Sequence, residues 1–399
     1  MRFWPPATSR AAVPVPSLRK FLAGSAFSVL VLGAVGGSAG SAQAAVGSPD
    51  PFAAAPLMTP VNPGAGAPFE LPLWPLAQQP ARTTDAPILL ATHQSGKPST
   101  PKPSAGNNPS GLPWKSGTQC FNEGFENFRG RKVDVNSVYL GRSSWSGVLG
   151  NLRGSAVNNA ANRPGQVAIA LAMLMQGQRF SDCTSGKLDG TFKEIGQTLS
   201  GGNMAGTIVR LGWEANGTSY AWSIRDQVEP YKACFRRLVG ILRNQAPNIQ
   251  IEWSMRKDNG ASVGVHNVYP GNDVVDIIGT SFYDRYPSTN TQSQWDEAYR
   301  ETKQGGPKGL GTWLDFAKSK GKKLALAEWA VSDGEPRSSR DNPFFVEKVW
   351  QFLKANSSNI AYEAYFNCIN TGAGIYMVYP ERNNPQAAAK YKQLWRSGT

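Results

Sequence analysis

From Gly111 onward the chain alternates short apolar runs with longer amphipathic stretches, and this rhythm constrains the fold more than any other feature of its 399 residues. Runs that short, bounded by turn residues, read as strands, and the stretches between them carry helical periodicity. The expected strands are Gly117 to Phe121, Val135 to Gly141, Gln166 to Ala172, Thr207 to Trp213, Ile249 to Ser254, Val274 to Gly279, Lys323 to Glu328 and Ile360 to Phe366. Helices are expected at Gly124 to Arg131, Leu188 to Leu199, Asp226 to Asn244, Leu310 to Lys320, Pro343 to Ala355 and Pro385 to Trp395. Strand–helix alternation implies a parallel sheet. Eight such units in about 280 residues predict a closed α/β architecture, the (β/α)8 TIM barrel. A doubly wound open sheet shares the alternation but normally carries a glycine-rich fingerprint after its first strand. No G-x-G-x-x-G or G-x4-G-K-[ST] occurs here.

The segment before the barrel cannot build a core. Residues 1–44 read as a signal peptide: Arg2, Arg10, Arg19 and Lys20 precede the apolar run Phe21 to Val35, and Ala42-Gln43-Ala44 supplies small residues for cleavage. The run is short for a membrane span, so no integral span is expected after cleavage; an uncleaved anchor is the alternative. Residues 45–110, rich in Pro, Ala, Gly, Ser and Thr and interrupted by Ala86 to Ala91, read as a disordered spacer. The domain is then 111–399, expected to be monomeric and secreted or periplasmic. Four cysteines, Cys120, Cys183, Cys234 and Cys368, suggest two disulfides in such a compartment, with three pairings open. Their wide spacing fits no zinc pattern.

Charge and histidine content narrow the chemistry. The chain carries +13, and beyond Ser110 its 34 basic and 25 acidic residues still leave +9. That balance favours acidic partners, here an anionic polysaccharide. The basic residues form no run, and no nucleic-acid motif accompanies them, so nucleic acid is not an expected partner. His93 falls in the spacer, leaving His266 for the domain. A lone histidine without G-x-S-x-G argues against a serine or cysteine nucleophile, and multi-histidine metal sites are ruled out. No cofactor or metal is expected. Acid–base work falls to carboxylates.

Two glutamates break the logic of their strands. Thr207 to Trp213 and Lys323 to Ala327 are apolar strand patterns ending in Glu214 and Glu328. A carboxylate at the end of a buried strand is expensive unless paired or used. Arg210 within the same strand as Glu214 offers a purely structural pairing. Functional residues of a β/α barrel gather at the carboxyl ends of its strands, which favours use over mere pairing. Glu252 is the next catalytic candidate.

The segment R-L-G-W-E-A-N-G-T-S-Y-A-W at 210–222 resembles the acid/base motif R-x-x-H-E-x-N-G-x-W-F-x-W of glycoside hydrolase family 26, the β-mannanase family of the retaining barrel clan A. Leu326-Ala327-Glu328-Trp329-Ala330 is similar to its nucleophile strand, and Tyr269-Pro270-Gly271-Asn272-Asp273 to its approach to the sixth strand. Ala364-Tyr365-Phe366-Asn367 resembles its last strand. The resemblance covers roughly Ser116 to Trp395. It implies a retaining glycosidase of the double-displacement kind acting on a polysaccharide, with Glu214 as acid/base and Glu328 as nucleophile. It also implies that Arg210 supports the charge of Glu328, that Tyr283 orients it, and that Asn216 and Trp222 contact substrate.

Two departures bear on specificity: Trp213 stands where the mannanases have histidine, and Ser281 where they commonly have aspartate. Aromatic rings at strand ends suit sugar faces, so Trp213, Trp253 and Trp329 join the expected substrate contacts, with His266 lining the cleft. Trp145 and Trp295 are weaker candidates. The competing reading is a non-catalytic barrel that binds glycan or scaffolds an export system.

Overall fold

The computed structural model describes residues 108–120, 123–257, 263–285, 287–333, 338–368 and 376–398. The expected signal peptide, Ala86 to Ala91, His93 and the spacer up to residue 107 lie outside the described residues. Eight strands form the barrel: β1 (Ser116–Gln119), β2 (Val135–Tyr139), β3 (Gln166–Leu171), β4 (Ile208–Leu211), β5 (Gln250–Arg256), β6 (Ile277–Tyr283), β7 (Lys323–Ala330) and β8 (Ile360–Phe366). They pair in the closed order β1-β8-β7-β6-β5-β4-β3-β2, every pair parallel. The expected closed barrel is what the chain forms.

Small and branched side chains, with one tyrosine, make one cluster in the barrel interior: Val135, Ala168, Ile208, Ile277, Ala325, Ala327, Tyr362 and Ala364. Residues on the opposite face of each strand pack against the helices, because successive side chains alternate across a sheet. Those helices are α1 (Glu123–Arg129), α2 (Trp145–Leu152), α3 (Ser155–Ala161), α4 (Phe180–Thr184), α5 (Asp189–Leu199), α6 (Val228–Gln245), α7 (Gln292–Arg300), α8 (Leu310–Ser319), α9 (Pro343–Ala355) and α10 (Pro385–Ser397). Among the described residues no helix is long and apolar enough to cross a membrane.

Most expected strand ends move by a residue or more, and three of the boundaries that differ have a legible local reason. β4 stops at Leu211 because Gly212 turns to a φ of 58°. β6 begins at Ile277, after Asp276 has used its carboxylate on the Ile251 N–H (2.7 Å) and on Arg243 (2.9 Å). Asn108 to Ser110, assigned to the spacer, pack on the domain: the Ser110 N–H (2.7 Å) and hydroxyl (2.5 Å) both donate to Asp134. That carboxylate also accepts from the Ser116 N–H at 2.8 Å, so it knits the entering chain to the start of β1.

The cysteines pair as Cys120–Cys368 and Cys183–Cys234, with sequence separations of 248 and 51. The first joins the ends of the first and last barrel strands; the second staples α4 to α6. Loop-closure entropy favours the longer loop by about 1.4 kcal/mol. Replacing Cys120 and Cys368 by alanine is therefore expected to lower unfolding free energy more than replacing Cys183 and Cys234, each loss about 2–5 kcal/mol. Denaturant titration of the two double variants checks the order.

Candidate active site

The turn after β4 delivers Glu214. Gly212 is compelled there: a Cβ would lie 2.3 Å from the Met173 sulfur, and the φ of 58° is a left-handed value. Glu214 itself sits at φ 54°, a conformation side chains other than glycine, asparagine and aspartate seldom adopt. Its backbone is fully engaged, the N–H donating to Ser254 O at 2.9 Å and the carbonyl accepting from Gly217 N at 2.8 Å. Such local strain persists when surrounding bonds over-determine it, at about 1–3 kcal/mol.

A bulge delivers Glu328. The β6–β7 register slips by one residue after Thr280–Leu326, so Ser281 pairs with Glu328. Ala327 belongs to the barrel interior, yet its neighbour Glu328 also faces inward, where strict alternation would send it to the helices. There Arg210 Nη2 donates to Glu328 Oε1 at 2.6 Å and the Tyr283 hydroxyl donates to Oε2 at 2.8 Å. The Arg210 Nε donates to Glu252 at 3.1 Å, and Tyr362 donates to the other Glu252 oxygen at 2.5 Å. Arg210 and Glu252 are fully buried, so Glu252 serves as the second anchor of the guanidinium.

Burial opposes the charge on Arg210, yet the acids around it, Glu328 first, push its pKa well above the ordinary value. Desolvation raises the Glu214 carboxyl, and the negative charge of Glu328 raises it further; Arg256, the Ser281 hydroxyl and Arg285 pull the other way without cancelling the rise. Glu214 is thus biased toward its protonated form. Burial, then Glu328, hold the Tyr283 phenol well above its usual range, so it stays a donor. Among the described residues no cluster of metal-ligating side chains occurs.

The aromatic residues divide. Trp213 packs among Tyr139, Tyr220 and Trp222, with ring centroids 5.6, 5.3 and 4.7 Å away. Trp222 is 1% exposed and donates its indole N–H to Trp213 O at 2.9 Å. Tyr220, partly exposed, stacks over it at 4.6 Å and lies between it and solvent. Asn216 is also buried: its amide accepts from the Arg256 N–H (2.9 Å) and donates to the Arg256 carbonyl (2.8 Å), which leaves it a clamp on the end of β5. Trp253 and Trp329 are corrections. Alternation places each opposite its inward-facing neighbour, Glu252 or Glu328. Trp253 packs with Tyr269, Trp313 and Phe316, while Trp329 stacks on Trp395 and donates to Glu363 at 2.6 Å. Both are fully buried. His266 lies in a 3-10 turn against Gly264 and Gly306, the latter in the two-stranded hairpin 302–307, and no described contact joins it to the carboxylates. Trp145, bonded to Gln178, and Trp295, packed on Phe282, are structural too.

Two tyrosines of the site were not anticipated. Tyr139, the last residue of β2, donates to Gln119 at 3.1 Å, lies beside Glu328 and has Arg210 at 5.9 Å from its ring. Tyr220 was hidden within the acid/base motif.

Residues 191–310 match the glycosyl hydrolase family 26 profile, a span that includes Arg210, Glu214 and Tyr283 and ends before Glu328. A mannan endo-1,4-beta-mannosidase of Bifidobacterium adolescentis is 26% identical over 242 residues, which cover 54% of this chain and 23% of that relative. The chain thus spans about a quarter of the curated relative it matches. Among solved structures, the catalytic domain of the family 26 endo-beta-1,4-mannanase of Bacillus sp. JAMB-750 aligns with a TM-score of 0.50 at 18% identity, covering 73% of this chain and 88% of that one. At that identity the likeness speaks to the fold.

Glu328→Gln removes the charge that helps raise Glu214, so Glu214 is expected to titrate at lower pH in that variant; carbon-13 NMR of its carboxyl reads the shift. The stability consequence has a defined sign. A folded pKa above the unfolded one gives stability below the unfolded value, near 4.3, and loses it as pH rises through the folded value. Glu214→Gln should then raise Tm at roughly pH 8, with no gain at about pH 4, as thermal unfolding at the two pH values would show.

Proposed function

We propose that this chain, of the glycoside hydrolase family 26 type, is a retaining glycosidase cleaving within a β-linked polysaccharide, with Glu214 as acid/base and Glu328 as nucleophile. The observation that carries this reading is the unequal treatment of two glutamates, one just past β4 and one on β7. One is gripped at both oxygens by Arg210 and Tyr283, and the other is biased toward protonation by burial and by the first. Divergent environments of this kind separate acid from nucleophile.

In the first step Glu214 gives its proton to the glycosidic oxygen as that bond breaks, and a Glu328 oxygen bonds to the anomeric carbon. Glu214, now a carboxylate, takes a proton from water; the water oxygen bonds to the anomeric carbon and Glu328 leaves. Arg210 and Tyr283 keep Glu328 oriented through both displacements. Tyr220, partly exposed and backed by the buried Trp213 and Trp222, offers aromatic surface to a sugar ring. Two disulfides fit an extracytoplasmic setting, where such polymers are met.

A non-catalytic glycan-binding barrel is the second reading. It leaves the strained backbone of Glu214 and the bulge at Glu328 without a purpose.

The test is release of reducing ends from β-1,4-mannan and from an exopolysaccharide panel. Glu214→Gln is expected to lower kcat by about 10²–10⁴. Glu328→Gln should abolish turnover, and proton NMR of the first product should show the β anomer. Undiminished turnover by Glu328→Gln would sink the assignment; inverted product would sink the retaining mechanism.

A further inference from the structure

Three arginines stand at or just past the carboxyl ends of three separate strands, the end of the barrel that carries Glu214 and Glu328. Arg142 follows β2, exposed, with its guanidinium 5.2 Å from the centroid of the Tyr220 ring. Arg256 ends β5, fixed by the Asn216 clamp on its backbone, and its side chain crosses Gly217, where a Cβ would meet Nη1 at 3.3 Å and Cδ at 3.4 Å. Arg285 follows β6, half-buried, 5.2 Å from the centroid of the Tyr283 ring and bonded to the Tyr376 hydroxyl at 3.4 Å.

We infer that the cleft takes an acidic glycan and that Arg142, Arg256 and Arg285 recognise the carboxylates of uronosyl residues flanking the scissile bond. This rests on the reading of the cleft as a glycan site and goes beyond it in substrate class. Two of the three guanidinium groups lie on tyrosine rings that belong to the site: Tyr220 packs on Trp213, and Tyr283 holds Glu328. Their placement is therefore tied to the sugar-binding surface and not to the outer face of the barrel. Arg256 and Arg285 are the cations that act on Glu214, and Tyr220 feels Glu214, Glu328 and Arg142 together. A guanidinium stacked on a ring stays charged and presents its edge N–H groups in a plane, a match for the two oxygens of a carboxylate. A neutral mannan offers those groups hydroxyls alone. The +9 balance of the chain beyond residue 110 adds a long-range field of the same sign.

The test compares two β-1,4-linked mannosyl hexamers, one neutral and one with every C6 oxidised to a carboxylate, so that linkage and ring stereochemistry are shared. Binding to the full chain is measured by isothermal titration calorimetry. The acidic hexamer is expected to bind at least tenfold more tightly at low salt, with the preference shrinking at about 0.5 M NaCl. Arg142→Gln, at an exposed position, and Arg285→Gln should each cut the preference severalfold. Equal affinity for the two hexamers, or a preference that both variants retain, overturns the inference. Reducing-end release is read separately. Tighter acidic binding without turnover upholds the inference and sinks the hydrolytic reading; turnover of the neutral hexamer with no acidic preference does the reverse.

Discussion

The guanidinium of Arg210, buried between two glutamates inside a barrel, is the interaction on which the site depends. An unpaired charge at that depth would not be tolerated, and removing one partner of such a pair costs about 3–5 kcal/mol. Glu252 and Glu328 both meet it, from β5 and β7, while Arg210 itself stands on β4. One set of charge-assisted bonds therefore spans the barrel interior. It fixes the candidate nucleophile to within hydrogen-bond tolerance, and it does so on strands, which hold geometry better than loops.

Around that fixed point the chain accepts several local costs. Glu214 lies in a backbone conformation it would not choose alone, its carboxyl is buried beside the charge of Glu328, and β7 breaks its pairing register. None of these contributes to folding. Their common effect is to bring two acids, Glu214 among them pushed toward its protonated form, to one end of the barrel. A stability–activity trade-off of this kind is what a site built for chemistry is expected to carry.

Much of this architecture was legible because its causes are local in sequence. The apolar runs that became β3 and β8 are buried on both faces, and the run through 360–366 has its observed ends. Glu214 and Glu328 stood out because acids rarely end such runs. Alternation carries further information: Trp253 adjoins Glu252, so one of them must face the helices, and Tyr139 shares the inward parity of Val135. Helix α7 had a readable start as well, since Thr291 and Gln294 form a capping box. The bulge was different. Glu328 faces inward because of how β7 pairs with β6, and no residue of β7 announces it. His266 was placed in the cleft from its position before the sixth strand, whereas the chain returns there along the outside of the barrel, beside α6 and the hairpin.

The bond between Cys120 and Cys368 turns the barrel into a covalent hoop. A protease that cuts the backbone at one place between these residues opens the chain but releases no fragment, since both pieces stay tethered through sulfur. A single nick anywhere in that span would leave the eight strands held in one molecule.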